Sequence, residues 1–169
     1  MELYRWYILK YGAYALLTVA LFRLQSIPGL LEIGGVRPLP VAALAILVAT
    51  MERELPGVLF CIFCGYLCDL YGVAPMGFYM LFLTILGLAA GLVIRNYLQS
   101  SLPIMIAAFF CRLVLFLFRY PLAGVTGAAP VLLRYDLPHA VYSAVLAVPL
   151  YYPVRALHRM AEERTDTRL

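Results

Sequence analysis

The stretch ELPGVLFCIFCGYLCDLYGVAPMGFYMLFLTILGLAAG (Glu54–Gly91) decides the fold. Two near-continuous apolar runs flank a short segment carrying Asp69, Gly72, Pro75 and Gly77. Neither run alternates polar and apolar residues, as the strands of a membrane barrel would. Both are long enough to be helices, and the punctuation between them fits a helix–turn–helix hairpin.

The rest of the chain carries the same signature. Of 169 residues, 64% are hydrophobic and only 13% charged, and the mean hydropathy is +0.91. A soluble domain is about 45–50% apolar and about 25% charged. So few charges cannot cover this much apolar surface in water, so lipid is the expected solvent. In lipid every backbone N–H and C=O must be paired within the chain, which leaves helices as the solution here. The chain reads as an all-α integral membrane protein, a bundle of about six transmembrane helices over residues 1–157 with a short cytoplasmic tail over 158–169.

Working outward, the expected spans are Trp6–Leu24, Leu39–Met51, Leu55–Leu70, Met76–Ile94, Leu102–Tyr120 and Leu137–Leu157. The first is too long for a signal-peptide core and lacks a small-residue cleavage site. The second is short, covering about 20 Å of a core roughly 30 Å thick. Three readings stand for it: extension through Ile33–Pro38, local thinning of the bilayer, or a re-entrant path. Glu52-Arg53-Glu54 marks a tight turn before the third span. Pro121–Pro130 reads as a loop, Pro149 and Pro153 interrupt the last span, and the tail from His158 reads as frayed.

The net charge of +4 comes almost wholly from arginine, Lys10 being the sole lysine. These cations sit at span ends, as anchors and topology signals, and no basic run suggests nucleic acid. With six spans and cytoplasmic termini, the inner segments hold Arg5, Lys10, Arg53, Arg95 and the arginines from Arg155 onward. The outer side holds Arg23, Arg37, Arg119 and Arg134. The positive-inside rule favours that orientation.

Within the spans two charges stand out, since each costs about 2.5–3.5 kcal/mol at mid-membrane. Asp69 shares a helical face with Gly65 and Cys61. Gly65 lets a neighbouring backbone approach, and Asp69 is placed to cap the free N–H groups that open the next helix, near Pro75 and Gly77. A lone carboxylate lacks the partners chemistry would need. For Arg112, pairing with Asp69 and snorkelling to the outer headgroups stand as equal readings. Gly87 and Gly91 form a GxxxG suited to close helix crossing. Cys61, Cys64, Cys68 and Cys111 all fall in apolar spans, far in sequence from His139 and His158, and read as packing residues rather than metal ligands. No nucleotide loop, HExxH, GxSxG or paired-carboxylate set occurs, so neither an enzyme nor a cofactor is expected.

The hairpin resembles the rod shape-determining protein MreD family, in which a Gly-rich span ends in Asp-Leu and a Pro-x-Gly opens the next. Gly57, Gly65, Asp69, Leu70, Pro75, Gly77 and Gly91 match that order. LPHAVYSAVLAVPLYYPVRALHRM (Leu137–Met160) is similar to the family's last span, with Ser143 where members often carry Asn. The resemblance implies a non-enzymatic scaffold in the bacterial cytoplasmic membrane. Its partners would be the bitopic protein MreC, RodA with a class B penicillin-binding protein, and MreB directly or indirectly. It also implies a fold similar to the substrate-binding subunits of energy-coupling-factor vitamin transporters. A transport subunit of that kind is therefore the alternative function, with Asp69, Arg112 and Tyr135 as the few groups able to line a pocket.

Six spans place the termini on one side. Reporter fusions at residues 2 and 165 are expected to report the same compartment, and opposite compartments would exclude six spans.

Overall fold

A computed structural model describes residues 2–71, 76–97, 101–122, 134 and 136–166. Within them the chain forms six helices: α1 (Glu2–Ser26), α2 (Pro40–Met51), α3 (Glu54–Tyr71), α4 (Phe78–Tyr97), α5 (Ser101–Leu122) and α6 (Leu137–Asp166). Among the described residues two segments are long and apolar enough to cross a membrane by themselves, Trp6–Ser26 and Leu137–Met160. Shorter apolar helices run over Pro40–Met51, Phe78–Ile94 and Ile104–Leu115. Large apolar side chains such as Ile8, Leu16, Leu59, Leu81 and Val145 point outward, a coat suited to lipid.

The short second stretch is the centre of the bundle. Residues Pro40–Thr50 are all buried, and α2 packs against each of the other five helices. A helix that is apolar all round suits either a protein core or a membrane, and here the five neighbouring helices enclose it. Enclosed this way, α2 has no lipid contact to satisfy, so its 12 residues, about 18 Å of helix, need not match the bilayer. Pro40 opens it where a missing N–H costs nothing. The N–H of Leu39 donates to Ser143 Oγ at 3.0 Å, and that hydroxyl donates to the His139 carbonyl at 2.8 Å. Ser143 thus ties the entry of α2 to α6. At the other end Glu52 adopts an extended backbone while its N–H still reaches the Val48 carbonyl, and the chain turns back into α3.

Close approach, not bulk apolar area, holds these helices, since helix association in lipid gains little from the hydrophobic effect. Ala49 is the meeting point. A methyl group on Gly91 would lie 2.7 Å from the Ala49 carbonyl oxygen, and one on Gly57 3.2 Å from its Cα. A methyl on Gly87 would run into the Cys61 sulfur. The GxxxG on α4 is therefore used inside the chain, against α2 and α3. Larger side chains fill the outer layers. Tyr14 of α1 meets Phe60 of α3 edge-on at 5.9 Å, and Phe82 of α4 stacks near Phe118 of α5 at 4.8 Å.

α6 differs from expectation at its far end. It runs through Pro149 and Pro153, both on its exposed face, and continues past Leu157 to Asp166. Its inward stripe, Ala140, Ser143, Ala147, Leu150 and Val154, keeps helical spacing across both prolines. Packing on that stripe holds the helix where the missing N–H groups would otherwise break it. The segment expected as a frayed tail is thus helical to Asp166, and His158 belongs to the bundle. The expected loop over Pro121–Pro130 lies mostly outside the described residues.

Two glycine substitutions separate packing from propensity. Gly65→Ala puts a methyl against the Met80 backbone and is expected to cost about 1–3 kcal/mol. Gly12→Ala, on the exposed face of α1 with open space around it, is expected to be neutral or to stabilise by up to about 1 kcal/mol. Thermal unfolding of the two purified variants checks both.

Candidate partner-contact site and its polar anchors

The α3–α4 hairpin is built around Asp69. Its carboxylate accepts three backbone hydrogen bonds from the start of α4: from Gly77 N–H at 3.1 Å, Tyr79 N–H at 2.9 Å and Met80 N–H at 3.1 Å. The first turn of a helix has N–H groups without intrahelical partners and carries the positive end of the dipole. A buried carboxylate satisfies both. It can reach because Gly65, one turn earlier, has no Cβ to keep Tyr79 and Met80 away. Gly77 enters the turn at φ +92°, a conformation glycine adopts without strain. Gly72 and Pro75 lie outside the described residues, as does Tyr135.

Arg112 does not join this group. Among the described residues no ion pair links it to Asp69, and its buried Nε has no hydrogen-bond partner. The pairing reading is therefore not realised; the capped helix start already supplies Asp69 with three charge-assisted donors. Cys61, Cys64, Cys68 and Cys111 are buried free thiols. Cys61 points its sulfur at the Ala45 carbonyl, 3.6 Å away, as a packing residue would. Among the described residues no group of His, Cys, Asp and Glu is arranged to hold a metal ion.

A second polar cluster, unforeseen from the sequence, sits at the opposite end of α3. Glu52, 5% exposed, pairs through Oε1 with the Lys10 ammonium of α1. The same oxygen lies 3.1 Å from His158 Nδ1 of α6 and accepts from Tyr14 Oη at 3.2 Å. Oε2 accepts from Tyr11 Oη at 3.3 Å. Lys10 Nζ is also 3.0 Å from His158 Nδ1. Burial pushes the Glu52 carboxyl up, but hydrogen bonds from His158 and Lys10 and their charge outweigh it and hold the group below the usual carboxylate range.

The sequence reading makes Lys10 a topology anchor and Glu52 part of a tight turn; both are buried in the cluster. The signal that marks them is helical register: Lys10, Tyr14 and Thr18 fall at i, i+4 and i+8 on one buried stripe of α1. A lysine on the same face as a tyrosine and a threonine, inside an apolar span, asks for an acceptor.

Removing one member of a buried ion pair leaves the other uncompensated. Lys10→Met or Glu52→Gln alone is expected to destabilise by about 3–5 kcal/mol, and the double variant by less than the sum. A thermal double-mutant cycle measures that coupling. Because Glu52 is held below its unfolded value, its contribution is present above the usual carboxylate range. It is lost as pH falls through the lowered value.

A family model described as rod shape-determining protein MreD matches residues 7–161, which takes in the hairpin, the buried cluster and most or all of each of the six helices. Comparisons with curated proteins and with solved structures returned no match. The expected likeness to energy-coupling-factor transporter subunits therefore has no solved relative behind it. With the match covering nearly its whole length, the chain belongs to the MreD family, membrane proteins of the MreB/MreC machinery that determines rod shape.

Proposed function

We propose that this protein acts by contact, as a multi-pass scaffold of the bacterial cytoplasmic membrane with both termini in the cytoplasm. In this reading it binds a bitopic MreC-like protein. It joins RodA and a class B penicillin-binding protein to MreB filaments, directly or through that partner, and performs no catalysis of its own. Family membership supports the role in shape determination, and the distribution of arginines supports the orientation.

The observation that carries the reading is the preformed α3–α4 hairpin. On α3, Leu59, Phe63, Tyr66 and Leu70 are exposed at helical spacing, and on α4 so are Leu81, Ile85, Leu88 and Leu92. Between them a shallow groove is lined by Gly57, Val58, Gly87, Leu88, Gly91 and Leu92. Gly65 and Asp69 fix the two helices in register, and the apolar stripes then form one surface against which partner spans pack. Gly87 and Gly91 serve it from beneath, by letting α4 lie close on α2. In this reading Gly72 and Pro75, outside the described residues, stay partner-contact candidates from the sequence, and Arg112 is one on α5.

Gly65→Leu and Asp69→Leu are expected to weaken co-purification with the MreC-like partner and to round rod-shaped cells. A variant that is stably expressed, keeps its partner and leaves cells rod-shaped would sink the proposal.

A further inference from the structure

Arg112 is a cation in the middle of a span, and the chain brings no anion to it. The span Leu102–Tyr120 runs about 15 Å of helix on one side of it and about 12 Å on the other. Among the described residues Arg112 makes no hydrogen bond or ion pair, and its Nε is enclosed. The ionisable side chains that feel its charge are the thiols of Cys68 and Cys111, and neither supplies an anion. Asp69, the nearest candidate by sequence pattern, is committed to the start of α4. A charge at this depth needs either a partner or a route to water.

The route to water does not fit. An extended arginine side chain is shorter than either distance, and long side chains on a helix lean toward its N-terminus, which is here the longer way. A snorkelling arginine lays its stem along lipid and its head in the interface, whereas the Nε of Arg112 is buried against protein. The residue as a whole is only partly buried, so it is reached from the flank of the bundle. It sits at the edge of the inward stripe of α5, beside Ala108 and Cys111. Further around the same helix Ile106, Phe110 and Leu117 stand outward. They give a second helix an apolar row to pack on, with the cation at its rim.

The missing group is an anion at mid-membrane. A neutral acceptor would leave the charge uncompensated in a medium of low dielectric. A second copy of this chain has none to give. Of the nine acidic residues, Asp69 and Glu52 are buried and already bonded, and the others lie in loops, at helix starts or in the tail. We propose that Arg112 is a docking cation: it receives the carboxylate of an Asp or Glu in the middle of a partner protein's transmembrane helix, and stays unpaired until that helix binds. This rests on the scaffold reading and gives one of its partners a chemical signature. Arginine suits the task, since its planar fork holds a carboxylate through two bonds and fixes the depth and rotation of the incoming helix.

The test compares the purified full chain alone with the chain in its complex. Arg112→Met removes a charge that the isolated chain leaves unpaired, so in detergent its Tm is expected to equal or exceed that of the wild type. The complex is formed by co-expression with the MreC-like protein, RodA and the class B penicillin-binding protein. There the same variant is expected to recover about tenfold less, or lower still, of the partner that carries the carboxylate. Arg112→Lys keeps the charge without the fork and is expected to fall between the two. Changing the partner's intramembrane carboxylate to its amide should cause the same loss, with no further loss when combined with Arg112→Met. A lowered Tm for Arg112→Met alone would reveal a role inside the bundle and overturn the proposal. Full recovery of every partner by Arg112→Met would also overturn it, as would unchanged recovery once the partners' intramembrane acids are neutralised. A rise in wild-type Tm on adding dioleoyl phosphatidylglycerol, absent in Arg112→Met, would assign the site to a lipid headgroup instead and overturn it too. A wild type that holds none of the partners sinks the scaffold reading and this inference together. A wild type that holds them no better than Arg112→Met sinks this inference alone.

Discussion

Everything in this bundle is arranged around a helix that never meets the lipid. α2 is too short to span by itself, its residues Pro40–Thr50 are all buried, and each of the other helices lies on it. In water such a core would be stabilised by removing apolar area from solvent. In a bilayer that gain largely disappears, because lipid tails are as apolar as leucine. What is left is dispersion between surfaces that fit, and fit of that kind needs backbones in contact. Ala49, with Gly57, Gly87 and Gly91 around it, meets the need. A methyl group at Gly91 would press on the Ala49 carbonyl and part the helices there, one at Gly57 would meet the Ala49 Cα at a tight 3.2 Å, and one at Gly87 would have to displace the Cys61 sulfur.

The polar groups complete what the small residues begin. Close packing alone leaves helices free to slide along one another, since an apolar surface offers few directional contacts. Hydrogen bonds at the two ends of α3 remove that freedom. Asp69 ties its last turn to the first turn of α4, and Glu52, just before its first turn, ties the neighbouring chain to α1 and α6. Both carboxylates are buried, at 8% and 5% exposure. In a medium of low dielectric an unpaired carboxylate would be costly, so the arrangement that satisfies it is strongly selected over a shifted one.

How much of this was legible in the sequence follows from the range of each contact. The helices could be read because apolar length and turn residues are local. Asp69 could be read as a cap because its donors lie only eight to eleven positions along. The Glu52 cluster could not, because its partners are Lys10 and His158, and nothing local to Glu52-Arg53-Glu54 distinguishes a buried carboxylate from an exposed one. The central place of α2 was hidden for a related reason. Its shortness suggests extension, local thinning or a re-entrant path, whereas shortness is permitted because five neighbours stand between it and the bilayer. The continuity of α6 through two prolines was likewise a tertiary matter, set by a packed inward stripe that no local rule for proline takes into account.

A consequence for function follows from where the small residues are used. In many membrane helices a GxxxG marks the surface offered to another chain, but here its glycines already face Ala49 and Cys61. The surface left for a partner is made of larger side chains, Leu, Ile, Phe and Tyr, standing outward at helical spacing on α3 and α4. Such side chains change rotamer at modest cost and give a forgiving interface, while Gly91 beneath them lies against the Ala49 backbone and cannot be enlarged without moving a helix. Substitutions on the two layers should therefore differ in kind. An outward leucine acts on one contact and weakens a partner in proportion to what it removes. An inward glycine acts on the shape of the entire hairpin, and so on every partner that packs against it.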